Sequence, residues 1–263
     1  VSVLELSPGD LVLAAGLVVI AGAVSVALRL GLERKLAIAA LRTVVQLLLI
    51  GQVLRYVFAF EHPLLVLAVL AVMTVAAGRA AVTRPTRTFD GASLLALLTL
   101  AVTGLGVTAV VTHVVIGVRP WYHAQYVIPL LGMLLGNSLT GLSLAIDHLL
   151  ERLDVRRDEV EADLALGATR WEAARGPVAE AVRRGMIPMI NSMMVVGVVS
   201  LPGMMTGQIL AGQDPMGAVK YQIVVMFMLA ASTALASMGM AYLMYRRLFD
   251  PQHRLRRERI RPT

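Results

Sequence analysis

Seven runs of predominantly apolar residues, each long enough to cross a membrane as a helix, dominate this sequence. A span takes about 20 helical residues, and the runs fall near 10–31, 36–59, 62–83, 91–117, 124–150, 186–211 and 216–246. Hydrocarbon offers backbone N–H and C=O groups no partner, so each run is predicted to be helical. Of the 263 residues, 57% are hydrophobic and only 16% charged. A soluble domain would carry roughly 25% charged residues. The expected fold is an all-α polytopic membrane protein of about seven transmembrane helices, forming a single transmembrane domain over 1–263. The first run lacks a basic flank and is long enough to span, so no cleavable signal is expected.

Basic residues set an orientation. With the N-terminus outside, twenty of the 24 lysines and arginines fall on the inner side, including Arg34, Lys35, Arg79, Arg84, seven arginines within 152–184 and seven more from 246 to 261. Outside fall Arg55, Arg119 and Lys220, and Arg42 lies inside the second run. Excess positive charge marks the cytoplasmic side, giving N-out and C-in. Trp121 and Tyr122 suit an aromatic belt at the outer interface. The net charge of +7 is gathered at the ends of apolar runs, which speaks for topology and against nucleic acid. There is no cysteine, which excludes disulfides and thiolate metal sites.

Residues 151–185, ERLDVRRDEVEADLALGATRWEAARGPVAEAVRRG, are too polar to span. They read as a helix continuing the fifth span inward, ended by a turn at Gly167. Thr169 and Glu172 have the spacing of a capping box for a second, short helix carrying Trp171. Gly176-Pro177 is expected to break that helix after about two turns. The segment is either an ordinary solvated connection or a stiff elbow that presses on a moving partner.

Glu161-Ala162-Asp163, with Gly167 six residues after the glutamate, resembles the first half of the EAA loop of ABC-transporter permeases. The second half of that motif is only approximated by Pro177 and Ile187-Pro188. Longer strings carry more: LGNSLTGL at 135–142, EADLALGATRWEA at 161–173, and PMINSMMVVGVVSLPGMMTGQILAGQDPMGAVKYQIVVMF at 188–227. With Arg42-Thr-Val-Val-Gln-Leu47, they resemble the FetB family of bacterial iron-export ABC permeases, whose plant relatives are implicated in aluminium tolerance. The resemblance covers the second through seventh spans. It implies a multi-pass subunit of the bacterial inner membrane, homodimeric and exporting metal ions, iron in particular. A separate cytoplasmic ATPase would hold ATP and magnesium and dock on a coupling helix between spans five and six. This chain has no G-x-x-x-x-G-K-[ST] phosphate loop of its own. No catalytic role and no cofactor are therefore expected of it, and Glu161, Gly167, Ala168, Thr169 and Trp171 are the expected docking residues.

Polar groups inside spans are expensive and raise functional questions. Arg42 and Gln46 share one face of the second span, and Asp147 and Glu151 one face of the fifth. Together they are read as an interhelical lock, or a switch that re-pairs. Gly132 and Gly136 form a G-x-x-x-G beside Asn137, Ser138 and Thr140, which favours close helix packing. Asn137 and Asn191 are also candidates to line a path. The histidines are scattered, so no high-affinity metal site is visible and the metal ligands stay unassigned. Twelve of the fourteen methionines lie between 186 and 244; they serve either flexible packing or passing contacts to a soft metal. The stretch SLPGMMTGQILAG at 200–212 interrupts the sixth span. Pro202-Gly203 is expected to kink the helix there. It is either a packing kink or a pliable outer gate of Pro202, Gly203, Met204, Met205, Thr206 and Gln208. An ATP-independent secondary transporter or channel is the alternative function, since such proteins also use broken spans. The arginine-dense C-terminus is explained by anionic lipid head groups.

Overall fold

A computed structural model of the protein describes residues 7–262 and divides them into two compact units. One reaches His62 and takes in Leu210–Gly212; the other comprises Pro63–Ile209 and the chain from Gln213 onward.

In the first unit α1 (Pro8–Ala27) and α2 (Glu33–Phe60) pack as a helical hairpin. The turn between them needs left-handed backbone at Arg29 (φ 54°) and Gly31 (φ 67°). Ser25 secures it by accepting from Leu32 N–H at 2.9 Å and donating to Glu33 Oε2 at 2.9 Å.

The second unit runs α3 (Pro63–Thr83), β1 (Arg87–Phe89), α4 (Ala92–Val110, prolonged by a π-helical Val111–Ile116) and α5 (Ala124–Val155). It continues through α6 (Arg157–Ala165), α7 (Arg170–Val195), α8 (Gly203–Leu210), α9 (Pro215–Leu248) and β2 (Ile260–Pro262). The long helix α5 is its centre, packed against α3, α4, α7 and α9. Leu131, Leu134, Leu142, Ile146, Leu150 and Leu153 of α5 are fully buried. Cross-helix hydrogen bonds satisfy its buried hydroxyls: Ser138 with Ser232 of α9 at 2.9 Å, and Ser143 donating to the Ala81 carbonyl of α3 at 2.9 Å. The closest approach is at Gly141 and Gly185. A Cβ on either would lie within 3 Å of the other's carbonyl oxygen, at 2.8 and 2.6 Å. The expected G-x-x-x-G pair plays a smaller part, since Gly136 has open space beside it.

Among the described residues six helices are long and apolar enough to cross a membrane: Gly9–Ala27, Glu33–Phe60, Pro63–Thr83, Ala92–Ile116, Ala124–Val155 and Pro215–Leu248. The protein is thus an all-α multi-pass membrane protein. The expected sixth span, 186–211, is not one helix. Its first ten residues are the end of α7, which begins among charges at Arg170; after a turn at 196–202 the chain resumes as the eight-residue α8. The bend expected at Gly176-Pro177 is also absent, because α7 continues through both Pro177 and Pro188. An interior proline costs about 3 kcal/mol. The helix persists because Ala173, Ala174, Val178, Ala181, Gly185 and Met189 form one buried face on it, and α7 packs against α5 and α9.

Residues 249–262 form a strap. β2 pairs antiparallel with β1, Phe89 opposite Ile260 and Arg87 opposite Pro262. Arg87 and Arg257 share the carboxylate of Asp154, at 3.2 and 3.1 Å, and Arg261 meets Asp90 at 3.2 Å. Lipid attraction is therefore not needed to explain Arg257 and Arg261; their partners are protein carboxylates.

Candidate functional site

The polar segment after α5 folds into an elbow. α5 stops at Val155, Arg156 leaves helical geometry (φ −103°, ψ 32°), and α6 follows at once. Within α6 the Arg157 guanidinium donates to Glu161 Oε1 at 2.6 Å and holds that carboxyl below its ordinary value. The helix closes with Leu166 N–H on Ala162 O and Ala168 N–H on Asp163 O. Gly167 makes the reversal at φ +95°, a conformation that costs other residues dearly. Thr169 then caps α7. Its Oγ1 accepts from Glu172 N–H, and Glu172 Oε2 accepts from Thr169 N–H and Oγ1, both at 2.7 Å. Those two hydrogen bonds hold the Glu172 carboxyl below its ordinary value, with a smaller contribution from His253. The expected turn and capping box are both present.

The elbow is buttressed from the C-terminal side. Arg170 N–H donates to His253 Nδ1 at 2.8 Å, and Trp171 stands edge-on to Tyr245 with centroids 5.1 Å apart. Trp171 nonetheless keeps an exposed face, while Glu161 and Ala168 are half-exposed and Gly167 and Thr169 exposed. Leu166, at the tip, is 88% exposed. The sequence reading did not single it out as a candidate. The signal for it is an apolar residue directly before a turn glycine in a polar segment.

Behind the elbow α5 and α7 are tied electrostatically. Arg152 pairs with Glu180, which lies 3.3 Å from His148 Nε2, and His148 Nδ1 is 3.9 Å from Glu151. Arg152 holds the Glu180 carboxyl below its ordinary value. Asp147 Oδ1 accepts from Thr86 N–H and Oγ1, both at 2.8 Å. Of the four residues read as a lock, Asp147 and Glu151 take these partners in the second unit. Arg42 and Gln46 lie exposed on α2 in the first.

At the other end of α7 the chain leaves helical geometry at Val196, reverses at Gly197 (φ +83°) and closes a small turn with Gly197 N–H on Ser200 O at 2.9 Å. Pro202 stands just before α8, where its carbonyl accepts from Thr206 N–H and Oγ1. The interruption is therefore a turn between two helices, and Pro202 kinks neither. Met204, Met205, Thr206 and Gln208 are half-buried on α8, and Gly203 is exposed. Asn137 is exposed and donates to the Met133 carbonyl of its own helix at 2.9 Å, and Asn191 is exposed near the end of α7. Among the described residues no cluster of three or more histidine, aspartate or glutamate side chains is placed to hold a metal ion.

Residues 8–249 match the family described as "Uncharacterised protein family (UPF0014)". The UPF0014 membrane protein slr1647 of Synechocystis is 39% identical over 86% of this chain and 87% of its own length. The Probable iron export permease protein FetB of Escherichia coli is 32% identical over 94% of this chain and 93% of its own. Protein ALUMINUM SENSITIVE 3 of Arabidopsis thaliana is 33% identical over 92% of this chain and 88% of its own. No solved structure matches the chain. At this coverage and identity, the chain belongs to the UPF0014 family.

Proposed function

We propose that this chain is the membrane subunit of an ATP-driven metal-ion exporter, oriented N-out and C-in in a bacterial inner membrane, with its two units working as one permease domain. The elbow between α6 and α7 carries the proposal. A short helix, a glycine reversal and a capped helix N-terminus present Leu166, Ala168 and Trp171 outward. The capped helix is the same α7 that runs on between α5 and α9. A push on the elbow is thereby delivered along one continuous helix into the packed core and to the turn at 196–202. ATP and magnesium belong to a separate cytoplasmic ATPase that docks there, and two copies of this chain pair around the path. Metal ion as cargo, and iron first among them, is supported by the printed name of the E. coli relative. Arg42, Gln46, Asp147 and Glu151 serve as an intramembrane polar lock, or as a switch that re-pairs. Asn137, Asn191, Pro202, Gly203 and residues 204–206 and 208 form the path and its outer gate.

The test is reconstitution of the chain in vesicles with a candidate cytoplasmic ATPase, scoring ATP-dependent movement of Fe(II). Gly167→Val strains the reversal at φ +95°, and the Cβ it adds meets nothing within 4 Å. It should leave the subunit folded while abolishing stimulation of ATP hydrolysis by transport. A variant that stays fully coupled would refute docking at the elbow.

A further inference from the structure

The amide that opens α7 is held by a histidine. Arg170 is the first residue of that helix, and its N–H is one of the four that a helix start leaves without a partner of its own. His253 takes it, with Nδ1 accepting at 2.8 Å. An imidazole nitrogen accepts only through its lone pair, so the ring is neutral in this contact and carries its proton on Nε2. Histidine is also the side chain whose ordinary charge change falls between about pH 5 and 8. His253 is exposed, so protons reach it freely. Its backbone is left-handed (φ 59°), a conformation that residues with a Cβ disfavour. A tight turn keeps it so: His253 N–H donates to the Asp250 carbonyl at 3.2 Å, and Arg254 N–H to Asp250 Oδ1 at 2.8 Å. The turn presents one imidazole to one helix start.

We propose that His253 is a pH-sensitive latch, fastening the 250–254 turn of the strap to the elbow at Arg170 while neutral and releasing it when protonated. An imidazolium carries a hydrogen on both ring nitrogens. It would point one of them at the Arg170 N–H, at a helix end that already bears partial positive charge. Three charged groups stand around the contact. Glu172 of α7 is near enough for its charge and that of His253 to act on each other, but its carboxylate is engaged by Thr169 N–H and Oγ1. The Arg170 guanidinium, 5.9 Å from the centre of the Tyr245 ring of α9, is a like charge on the same residue. Asp250 is occupied by the Arg254 N–H and lies 3.8 Å from Arg256 Nε. The fastening is therefore complete above the histidine's titration and lost as pH falls through it. The strand pair β1–β2 lies beyond the turn and still holds the strap's end. The elbow stiffens and loosens with the pH on its own side of the membrane, and nothing in this depends on an ATPase docking there.

The test uses the full chain in lipid nanodiscs without any ATPase, at about pH 8 and about pH 5. Exchange of the Arg170 amide hydrogen, corrected for its intrinsic pH dependence, should lose about three- to tenfold of its protection at the lower pH, the worth of one hydrogen bond. His253→Asn offers a carbonyl oxygen one bond from Cγ, as Nδ1 is, suits left-handed backbone and does not titrate. It should keep the amide protected at both pH values. His253→Ala should leave it at both as exposed as the parent's is at the lower pH. The chain has no cysteine, so nitroxides at Gln252→Cys and Ala165→Cys report the turn against the elbow. Their distance distribution should broaden at the lower pH with His253 present and stay narrow with His253→Asn. Protection that is level across the range, a pH step that survives His253→Asn, or a distance that holds at the lower pH overturns the latch. The last is what an imidazolium captured by Glu172 would give.

Discussion

A methyl group added at Gly141 would lie 2.6 Å from Thr233 Cγ2 and 2.8 Å from the Gly185 carbonyl, so α5, α7 and α9 meet where no side chain fits. Gly141→Ala and Gly185→Ala should each cost about 1–3 kcal/mol through overpacking, read as a lower midpoint of thermal unfolding in detergent. Gly136→Ala, with nothing within 4 Å, should leave the midpoint unchanged. The spacing template pointed to Gly132 and Gly136, because sequence distance cannot say which face of α5 meets α7. The same scale governs the cap on α7. Glu172 has its carboxyl lowered in the folded chain, so the stability it lends is complete above its ordinary value of 4.5. That stability is lost as pH falls through the lower folded value. Exchange of the Thr169 and Glu172 amide hydrogens should therefore accelerate, relative to neighbouring amides, on acidification below that point. Glu172→Gln should remove the acid-dependent step, and a step that persists would place the titrating group elsewhere.

At the scale of elements, apolar runs and turn residues located most of the helices, because each boundary carries its own chemistry. Gly167 with Thr169 opens α7 as their spacing predicts, whereas the turn at Ser25 and Gly31 between α1 and α2 emerges only in the structure. The failure is instructive at α7. Pro177 reads as a helix breaker only while the burial of Ala173, Ala174, Val178 and Ala181 is unknown. The break that does occur was expected at Pro202, yet the helix has already ended at Val195, seven residues earlier. Gly197 (φ +83°) makes the reversal, at a conformation worth about 1–2 kcal/mol against any other residue. Pro202→Ala should therefore fail to join α7 to α8. The chain has no native cysteine, so nitroxides at Met194→Cys and Gly207→Cys report the separation directly. That distance should be unchanged by Pro202→Ala and altered by Gly197→Val. A lengthening to continuous-helix spacing in the proline variant would restore the kink.

At the scale of the second unit, the C-terminal strap joins parts of the chain that no periodic pattern connects. Two three-residue strands, Arg87–Phe89 and Ile260–Pro262, are too short to signal themselves, and their pairing spans most of the sequence. Seven arginines from 246 to 261 suggest a lipid surface until their partners are seen. Arg257 and Arg87 converge on Asp154, which ends α5; Arg259 donates to the Arg247 carbonyl at 2.9 Å; and His253 takes the Arg170 N–H that opens α7. One exposed ion pair is worth about 0–1 kcal/mol, but a carboxylate shared by two guanidiniums beside a strand pair holds more than either bond alone. Asp154→Asn removes the shared charge and takes from Arg87 and Arg257 the carboxylate they both bind. Trypsin should then cut after Arg254, Arg256, Arg257 and Arg259 up to about tenfold faster than in the parent chain, the factor 1.4 kcal/mol allows. Raising the salt should narrow the gap by screening the parent's pairs. Were lipid the main holder of the strap, cleavage would respond to removal of anionic lipid and be indifferent to Asp154. The two variables, one in the protein and one in the bilayer, therefore separate an internal fastening from a surface attraction.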